Sequence, residues 1–225
     1  LTGKRLLVGI DAWPATSEHP LGHFVRMLGN DGEKDVETAV LLHEFDVPHE
    51  AFTPEVMSCL PPSDWSIGPS DLEGRADFRN LPVVSIDPPG CKDIDDALHC
   101  IRLPNGRMQC GVHIADVTHF VHPGSPLDEE AQHRSTSTYL VERRLDMLPS
   151  LLTTELCSLR SKEDHLAFSV IWEMDDNCNV TDVQFTRSVI HSVASLTYDE
   201  AQAMLDEHAA TGGRGMDAVG ASVNM

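Results

Sequence analysis

The sequence predicts an α+β protein, a mostly β N-terminal part followed by a second unit built on a mixed sheet. Three observations predict it. Short apolar runs alternate with Gly, Pro and Asn turns over the first sixty residues. A polar, turn-rich stretch occupies residues 61–80. Beyond it, strand signals interleave with two capped helix starts.

In the N-terminal part, Leu6-Leu7-Val8-Gly9-Ile10 is a short apolar strand, closed by a loop carrying Pro14, Pro20 and Gly22. His23 to Leu28 and Thr38 to Phe45 predict two further strands on either side of the turn Gly29-Asn30-Asp31-Gly32. Thr53-Pro54 reads as an N-cap followed by proline at the first helical position, with a short helix to about Leu60. Ser70-Asp71-Leu72-Glu73 has a capping-box pattern inside an otherwise polar linker at 66–80.

In the second unit, Pro82 to Ile86 and Ala97 to Leu103 read as strands. Pro104-Asn105-Gly106 turns the chain back into a strand from Met108 to Ile114. Ser125-Pro126-Leu127-Asp128 opens a helix to about His133. Leu166 to Met174 and Val180 to Ser192 form a hairpin across Asp175-Asp176-Asn177. Thr197-Tyr198-Asp199-Glu200 is a second capping box, whose helix is expected to fade near Asp206. From residue 206 the Gly- and Ala-rich text lacks periodicity and predicts a flexible tail.

Composition narrows the chemistry. Sixteen Lys and Arg face thirty-six Asp and Glu, a formal charge of -20, which argues against a protein that coats nucleic acid through its own cations. An enzyme that grips phosphate through a metal remains open, because carboxylates hold the cation and the cation meets the anion. The hydrophobic fraction of 41% is enough for a sizeable core. No run approaches the ~18–20 apolar residues that span a bilayer. The chain starts at Leu1 with neither Met nor a signal-peptide pattern, as expected for a piece of a longer protein. Its six cysteines form no Cys-x-x-Cys pair and are expected as reduced thiols. His19 and His23, separated by Pro20 and Gly22, make no helical ligand pair.

The most informative segment is Asp87-Pro88-Pro89-Gly90-Cys91-Lys92-Asp93-Ile94-Asp95-Asp96, four carboxylates in one loop between two strands. The Pro-Pro-Gly turn folds the loop back so that Asp87 can face the later acids. Ionised carboxylates at close range raise one another's pKa unless a cation neutralises them, and a hard divalent ion, Mg2+ or Mn2+, suits oxygen ligands. The bland reading is an acidic surface turn. A Ca2+ loop of the EF-hand type fails, since Ala97 and Leu98 stand where its fifth and sixth positions would be. Metal-held acids suit phosphodiester hydrolysis. A sugar-nucleotide transferase holding a metal-diphosphate through Asp95 and Asp96 is the other enzymatic reading of the same acids.

Asp87-Pro-Pro-Gly-Cys-Lys-Asp93-Ile-Asp95-Asp96-Ala-Leu-His resembles the signature of the RNB domain, the catalytic domain of ribonucleases II and R. Gly111-Val-His113-Ile-Ala-Asp116-Val-Thr-His-Phe, Tyr139-Leu140, Met147-Leu148-Pro149 and Leu156-Cys157-Ser158-Leu159 continue the resemblance in order, from about Leu81 to Leu205. Gly3-Lys4-Arg5, Ile10-Asp11-Ala12-Trp13-Pro14, Gly22-His23-Phe24-Val25-Arg26 and Asp46-Val47-Pro48-His49 resemble the second cold-shock-type OB domain of the eukaryotic members. The resemblance implies a partial OB-type β-barrel over 1–65, a linker over 66–80, the N-terminal part of a mixed-sheet RNB domain over 81–205, and a non-family tail over 206–225. The family's later arginine-containing segment has no counterpart here.

The activity implied is Mg2+-dependent 3′-to-5′ hydrolysis of single-stranded RNA to nucleoside 5′-monophosphates, with Mn2+ a possible substitute. The nearest likeness is to members that work with exosome core subunits in the nucleus, nucleolus and cytoplasm. Position by position, Asp87, Asp93, Asp95 and Asp96 match the family's active-site aspartates, with Asp87 and Asp96 helping to hold the metal. Asp95 matches the aspartate on which cleavage most depends, and Tyr139 the aromatic that stacks on a base near the 3′ end. His113 and Asp116 are expected as supporting residues, and Arg143, Arg144 and Arg160 as candidate backbone contacts. A catalytically silent RNA-binding or scaffold piece of the same family is the rival reading.

Overall fold

The computed structural model describes residues 2–211, which divide into two compact units. The first takes the chain up to Ala51 together with His133–Leu145, and the second takes Phe52–Gln132 and the chain from Asp146.

In the first unit, β1 (Lys4–Ala12) and β2 (Leu21–Asn30) form one antiparallel pair with several register shifts. Helix α1 (Lys34–Glu44) follows where a strand was expected over Thr38 to Phe45. The β-branched Thr38 and Val40 mimic strand composition, but Val36 and Leu42 are the residues buried, and local bonds favour the helix. Asp35 and Glu37 lie in its first turn, and Glu37 accepts from the Gly32 amide at 2.9 Å while pairing with Arg5 at 3.1 Å. No barrel closes in this unit among the described residues.

The second unit opens with α2 (Pro54–Met57), whose Val56 amide donates to the Thr53 hydroxyl at 3.4 Å. A 3-10 turn at Pro69–Leu72 leads into β3 (Ala76–Asp77), then β4 (Val83–Asp87), β5 (Asp96–Arg102) and β6 (Met108–Ala115). Helix α3 (Pro126–Arg134) comes next. It is followed by the short pair β7 (Thr138–Tyr139) and β8 (Arg144–Leu145), which belongs mostly to the first unit. A π-helical turn at Leu151–Leu156 precedes the long hairpin β9 (Asp164–Met174) and β10 (Val180–Thr197). The last element is α4 (Tyr198–Thr211). Its capping box is made, with the Thr197 amide donating to Glu200 at 2.7 Å and the Glu200 amide to the Thr197 hydroxyl at 3.3 Å.

The sheet order is β3-β10-β4-β5-β6-β9, with β10 also paired to β9, so the ladder from β10 through β4, β5, β6 and β9 closes on itself. Strands β3 and β4 run parallel to β10 and the other pairings are antiparallel, a mixed sheet as expected. Gly111 stands where a Cβ would fall 2.3 Å from the His99 ring and 2.7 Å from Ile171, so packing excludes any side chain there. The core gathers Val83, Ile94, Leu127, Leu148, Leu152, Leu159 and Ile190.

Two boundary expectations change. Residues 66–80 are no linker: β3 pairs with β10, and the Arg75 side chain is buried against Asp116 at 2.6 Å. Polar residues whose partners lie far along the sequence look like loop text until those partners are seen. The expected tail also starts too early, because α4 continues through Thr211; residues 212–225 lie outside the described ones.

The Arg75–Asp116 pair is 3% and 2% exposed at its side chains. Burial alone would raise the Asp116 pKa, but bonds from Thr118 and Arg75 and the charges of Arg75 and Arg187 hold it below the usual carboxylate range. A depressed folded pKa contributes stability in full above the ordinary carboxylate value, lost as pH falls through the folded one. Arg75→Ala leaves Asp116 buried and unpaired and is expected to cost about 3–5 kcal/mol in urea unfolding at neutral pH. The deficit should shrink as pH falls below 4 (a rough bound set by the ordinary carboxylate pKa); a deficit that stays constant with pH would show that the pair is not its source.

Candidate functional site

The acidic loop runs from the end of β4 to the start of β5 and is shaped by its own sequence. The Cys91 amide donates to the Pro88 carbonyl at 3.1 Å, with Pro89 and Gly90 at the central positions and Gly90 at φ +79°. This is a type II turn, and only glycine takes that third position without strain. Strand period two places Asp87 on the same side as Val83 and Ser85, both fully buried, so the carboxyl stands at the mouth of the closed ladder. In the return limb Ile94 is buried in the core, while Asp93 is half-buried and Asp95 and Asp96 are exposed. An apolar anchor between acids fixes which way the acids face. Burying an isoleucine is worth roughly 1.5–3 kcal/mol.

Burial raises the Asp87 pKa above its ordinary value. The Ser85 hydroxyl and Cys91 thiol partly offset this, and the charges of Asp96 and Asp93 push it further up. One Asp87 oxygen, Oδ2, is buried without a hydrogen-bond partner, as is the Ser85 Oγ; the two groups lie close but out of bonding geometry. Cys91 Sγ stands 3.6 Å from Asp93 Oδ1. Its pKa is raised by burial and by the carboxylates around it, so the thiol stays protonated and donates to Asp93.

The expected convergence of all four aspartates is only partly met. Asp87 feels Asp96 and Asp93. The charge of Asp95 acts on the buried Cys157 thiol, which burial, Asp116 and Asp95 push up to about 12. Asp95 and Asp96 are consecutive at a strand entry, where neighbouring side chains point to opposite faces. Among the described residues no three His, Cys, Asp or Glu side chains share one metal-sized point.

The donor chemistry nonetheless fits a hard cation. A buried carboxylate oxygen lacks a protein partner, and two further carboxylate charges act on it. Mg2+ keeps several waters and commonly takes only one or two protein carboxylates beside substrate phosphates.

Of the expected supporting residues, His113 and Asp116 are both buried. His113 lies inside the ladder, bonded to His99 at 2.8 Å and to the Ser169 hydroxyl at 2.6 Å, and Ser169 meets Ser188 at 2.6 Å. Burial and the neighbouring His99 push the His113 pKa down to about 3, and burial lowers that of His99. Both rings are neutral at physiological pH. Asp116 is committed to Arg75. Arg160 pairs with Glu163 at 2.9 Å beside a cavity of about 420 Å3 lined by Trp65 and His165. In the first unit Tyr139 is 69% exposed on β7, with the Arg144 guanidinium 5.9 Å from its ring centroid. Arg143 accepts from the Leu140 amide through its carbonyl at 2.9 Å. Sequence reasoning missed Arg75, His99, Ser169 and Ser188. The one available signal, for His99, Ser169 and Ser188, was a polar residue set in an otherwise apolar strand, which names no partner.

The RNB domain family matches residues 75–218, and the Dis3-like cold-shock domain 2 (CSD2) family matches residues 1–46. The exosome complex exonuclease RRP44 of Mus musculus is 56% identical over 93% of this chain, which spans only 22% of that protein. Among solved structures, Mycoplasma genitalium RNase R in complex with ribose-methylated single-stranded RNA superposes with a TM-score of 0.83. It is 22% identical and covers 98% of this chain and 34% of its own, a likeness of fold. Yeast Ssd1, described as a pseudonuclease, gives a TM-score of 0.76 at 25% identity over 90% of this chain and 26% of its own.

Because the folded pKa of Asp87 is raised, its ionisation opposes folding. The contribution of Asp87 to the metal-free protein should therefore become less unfavourable as pH falls through that pKa and more so as pH rises. Asp87→Asn is expected to raise the metal-free melting temperature at neutral pH by a few degrees, on the scale of about 1 kcal/mol for a domain of this size. It should also abolish the melting-temperature increase that millimolar Mg2+ gives the parent. An equal Mg2+ response in both proteins would remove Asp87 from the site.

Proposed function

This chain belongs to the RNB-domain family, and on that premise we propose that it carries the acidic half of a 3′-to-5′ exoribonuclease active site. The observation that carries the reading is the buried, unpartnered Asp87 oxygen beside the charges of Asp96 and Asp93. The proposed substrate is single-stranded RNA and the proposed product nucleoside 5′-monophosphates. The exonuclease name of the mouse relative supports the activity. That relative's name as an exosome complex exonuclease supports exosome core subunits as partners; the proposed place of action is the nucleus, nucleolus and cytoplasm. The sugar-nucleotide transferase reading has no support in this family.

Asp87 and Asp96 would hold Mg2+, or Mn2+ in its place. When bound, the ion supplies charge neutralisation at the scissile phosphate and a more acidic water. Asp93 is oriented by the Cys91 thiol, whose proton is kept in place by the surrounding acids. Asp95, exposed at the loop's end, would meet the attacking water or the phosphate. Tyr139 offers an exposed ring on which any base can stack, and stacking makes no demand on base identity.

A silent RNA-binding role is the second reading, favoured by the fold shared with the pseudonuclease Ssd1. The full-length polypeptide decides between them. It is expected to release mononucleotides from the 3′ end of labelled single-stranded RNA in a Mg2+-dependent time course. Asp95→Asn should slow release by at least about a hundredfold, some 2.7 kcal/mol of barrier, and leave RNA binding nearly intact. Unchanged release in Asp95→Asn would end the assignment, and binding without any release by the parent would establish the silent reading. Tyr139→Ala is expected to weaken RNA affinity by roughly 1–3 kcal/mol, about six- to 150-fold, in fluorescence anisotropy. An affinity equal to the parent's would remove Tyr139 from the RNA contact.

A further inference from the structure

We infer that Ser158 is a positioning residue for the proposed metal site, acting through the loop backbone that bears Asp93 and leads through Asp95 to Asp96. The inference rests on the reading of Asp87 and Asp96 as a metal site.

Ser158 is fully buried at the exit of the π-helical turn. Its hydroxyl donates to the Lys92 carbonyl at 2.8 Å and accepts from the Ile94 amide at 3.2 Å. The next residue adds a third bond, from the Leu159 amide to the Ile94 carbonyl at 2.8 Å. Asp93 is therefore bracketed by two clamped backbone groups, and Asp95 directly follows the third. From the opposite side, the Ala115 amide donates to the Asp95 carbonyl at 3.0 Å. The Ile94 side chain packs in the same cluster as Cys157 and Leu159.

A buried serine most often bonds a carbonyl of its own helix, which is local and mildly disruptive. Ser158 instead spends donor and acceptor on residues 66 and 64 positions away. Its own backbone is tied down, accepting from the Arg160 amide at 2.8 Å and donating to the Glu155 carbonyl at 3.4 Å. The clamp is rigid on its fixed side. Through these bonds the hydroxyl sets the path of Lys92 to Ile94. π-turns recur at functional sites, where an extra residue re-aims a side chain. Here the turn delivers Ser158 to the acidic loop.

The test compares Ser158→Ala, Asp96→Asn and Ser188→Ala in the full-length polypeptide. Ser188 is another fully buried serine, bonded within the ladder to Ser169 and the Ala167 carbonyl. Mn2+ binding is read by electron paramagnetic resonance and loop exposure by amide exchange of the peptide covering Lys92 to Asp95. Ser158→Ala is expected to weaken Mn2+ at least tenfold, within the ~10–100-fold range of lost supporting bonds around a metal, and to speed exchange in that peptide. Ser188→Ala, though destabilised, should keep parental Mn2+ affinity. If Ser158→Ala does not fold, Ser158→Cys, a weaker donor of similar shape, is expected to bind Mn2+ several-fold more weakly. Parental Mn2+ affinity in a folded Ser158 variant, with Asp96→Asn impaired, overturns the positioning role and leaves the metal site standing. Mn2+ binding insensitive to Asp96→Asn and Ser158→Ala alike overturns the metal site and this inference with it.

Discussion

Electrostatic repulsion on one short loop is the constraint around which the second unit is arranged. Four carboxylates stand between Asp87 and Asp96, and nothing in their own residues neutralises them except Lys92. Such a loop left to itself would splay into solvent. It does not, because the backbone carrying the acids is held by neutral interactions that are indifferent to charge. These are the Ile94 side chain in the core, a type II turn at Pro89 and Gly90, and bonds to Ile94 and Asp95 from distant strands and turns. The acids are thus paid for by packing, and the residual repulsion is visible in the raised Asp87 pKa. A cation would relieve it without moving the backbone, which is what preorganisation means at a metal site.

The interior of the closed ladder is built by an unusual route. One layer of it is polar: His99, His113, Ser169 and Ser188 run in a hydrogen-bonded chain where leucine or valine would fill equivalent space. Below it the Arg75–Asp116 pair joins the segment before β3 to the end of β6. A buried polar network is weak evidence for stability, since well-packed apolar residues would do as well or better. It is directional, however. Each ring nitrogen and hydroxyl admits few partners, so strand register around the ladder has little room to slip. The acidic loop grows from two of those strands, β4 and β5, and inherits their register.

What could be read from the sequence was what depends on near neighbours. The turn at Pro88 to Cys91, the hairpin from β9 to β10, the capping box at Thr197 and the N-cap at Ser125 each need only a few adjacent residues, and each was placed correctly. The failures are non-local. Thr38 and Val40 read as strand because their helix is favoured, beyond its local bonds, by Glu37 pairing with Arg5, 32 positions back. Residues 66–80 read as linker because Arg75 finds Asp116 forty-one positions on. For the site, the identity and order of the aspartates were legible in the motif. Which of them act on Asp87 was not, because it depends on where β5 begins. Nor was the role of Ser158, whose partners lie more than sixty residues upstream.

The charge balance bears on how such a chain could engage RNA at all. Many of its arginines come with an acid already beside them. Arg5 stands against Glu37 and Asp31, Arg79 against Asp77 and Asp164, Arg102 against Asp176, Arg107 against Glu173, and Arg160 against Glu163. Exposed pairs of this kind are worth about 0–1 kcal/mol and exchange readily. Each nevertheless travels as a near-neutral dipole, whose field at a phosphate a Debye length away is largely cancelled. Long-range steering of RNA therefore cannot come from this surface, whose net charge of -20 repels it. On the proposed reading attraction is short-ranged, through stacking on an exposed ring such as Tyr139 and through divalent cations that the acids would hold. The excess of carboxylates that argues against nucleic-acid binding when counted over the chain is then, on the acidic loop, the feature through which a phosphate contact would be made.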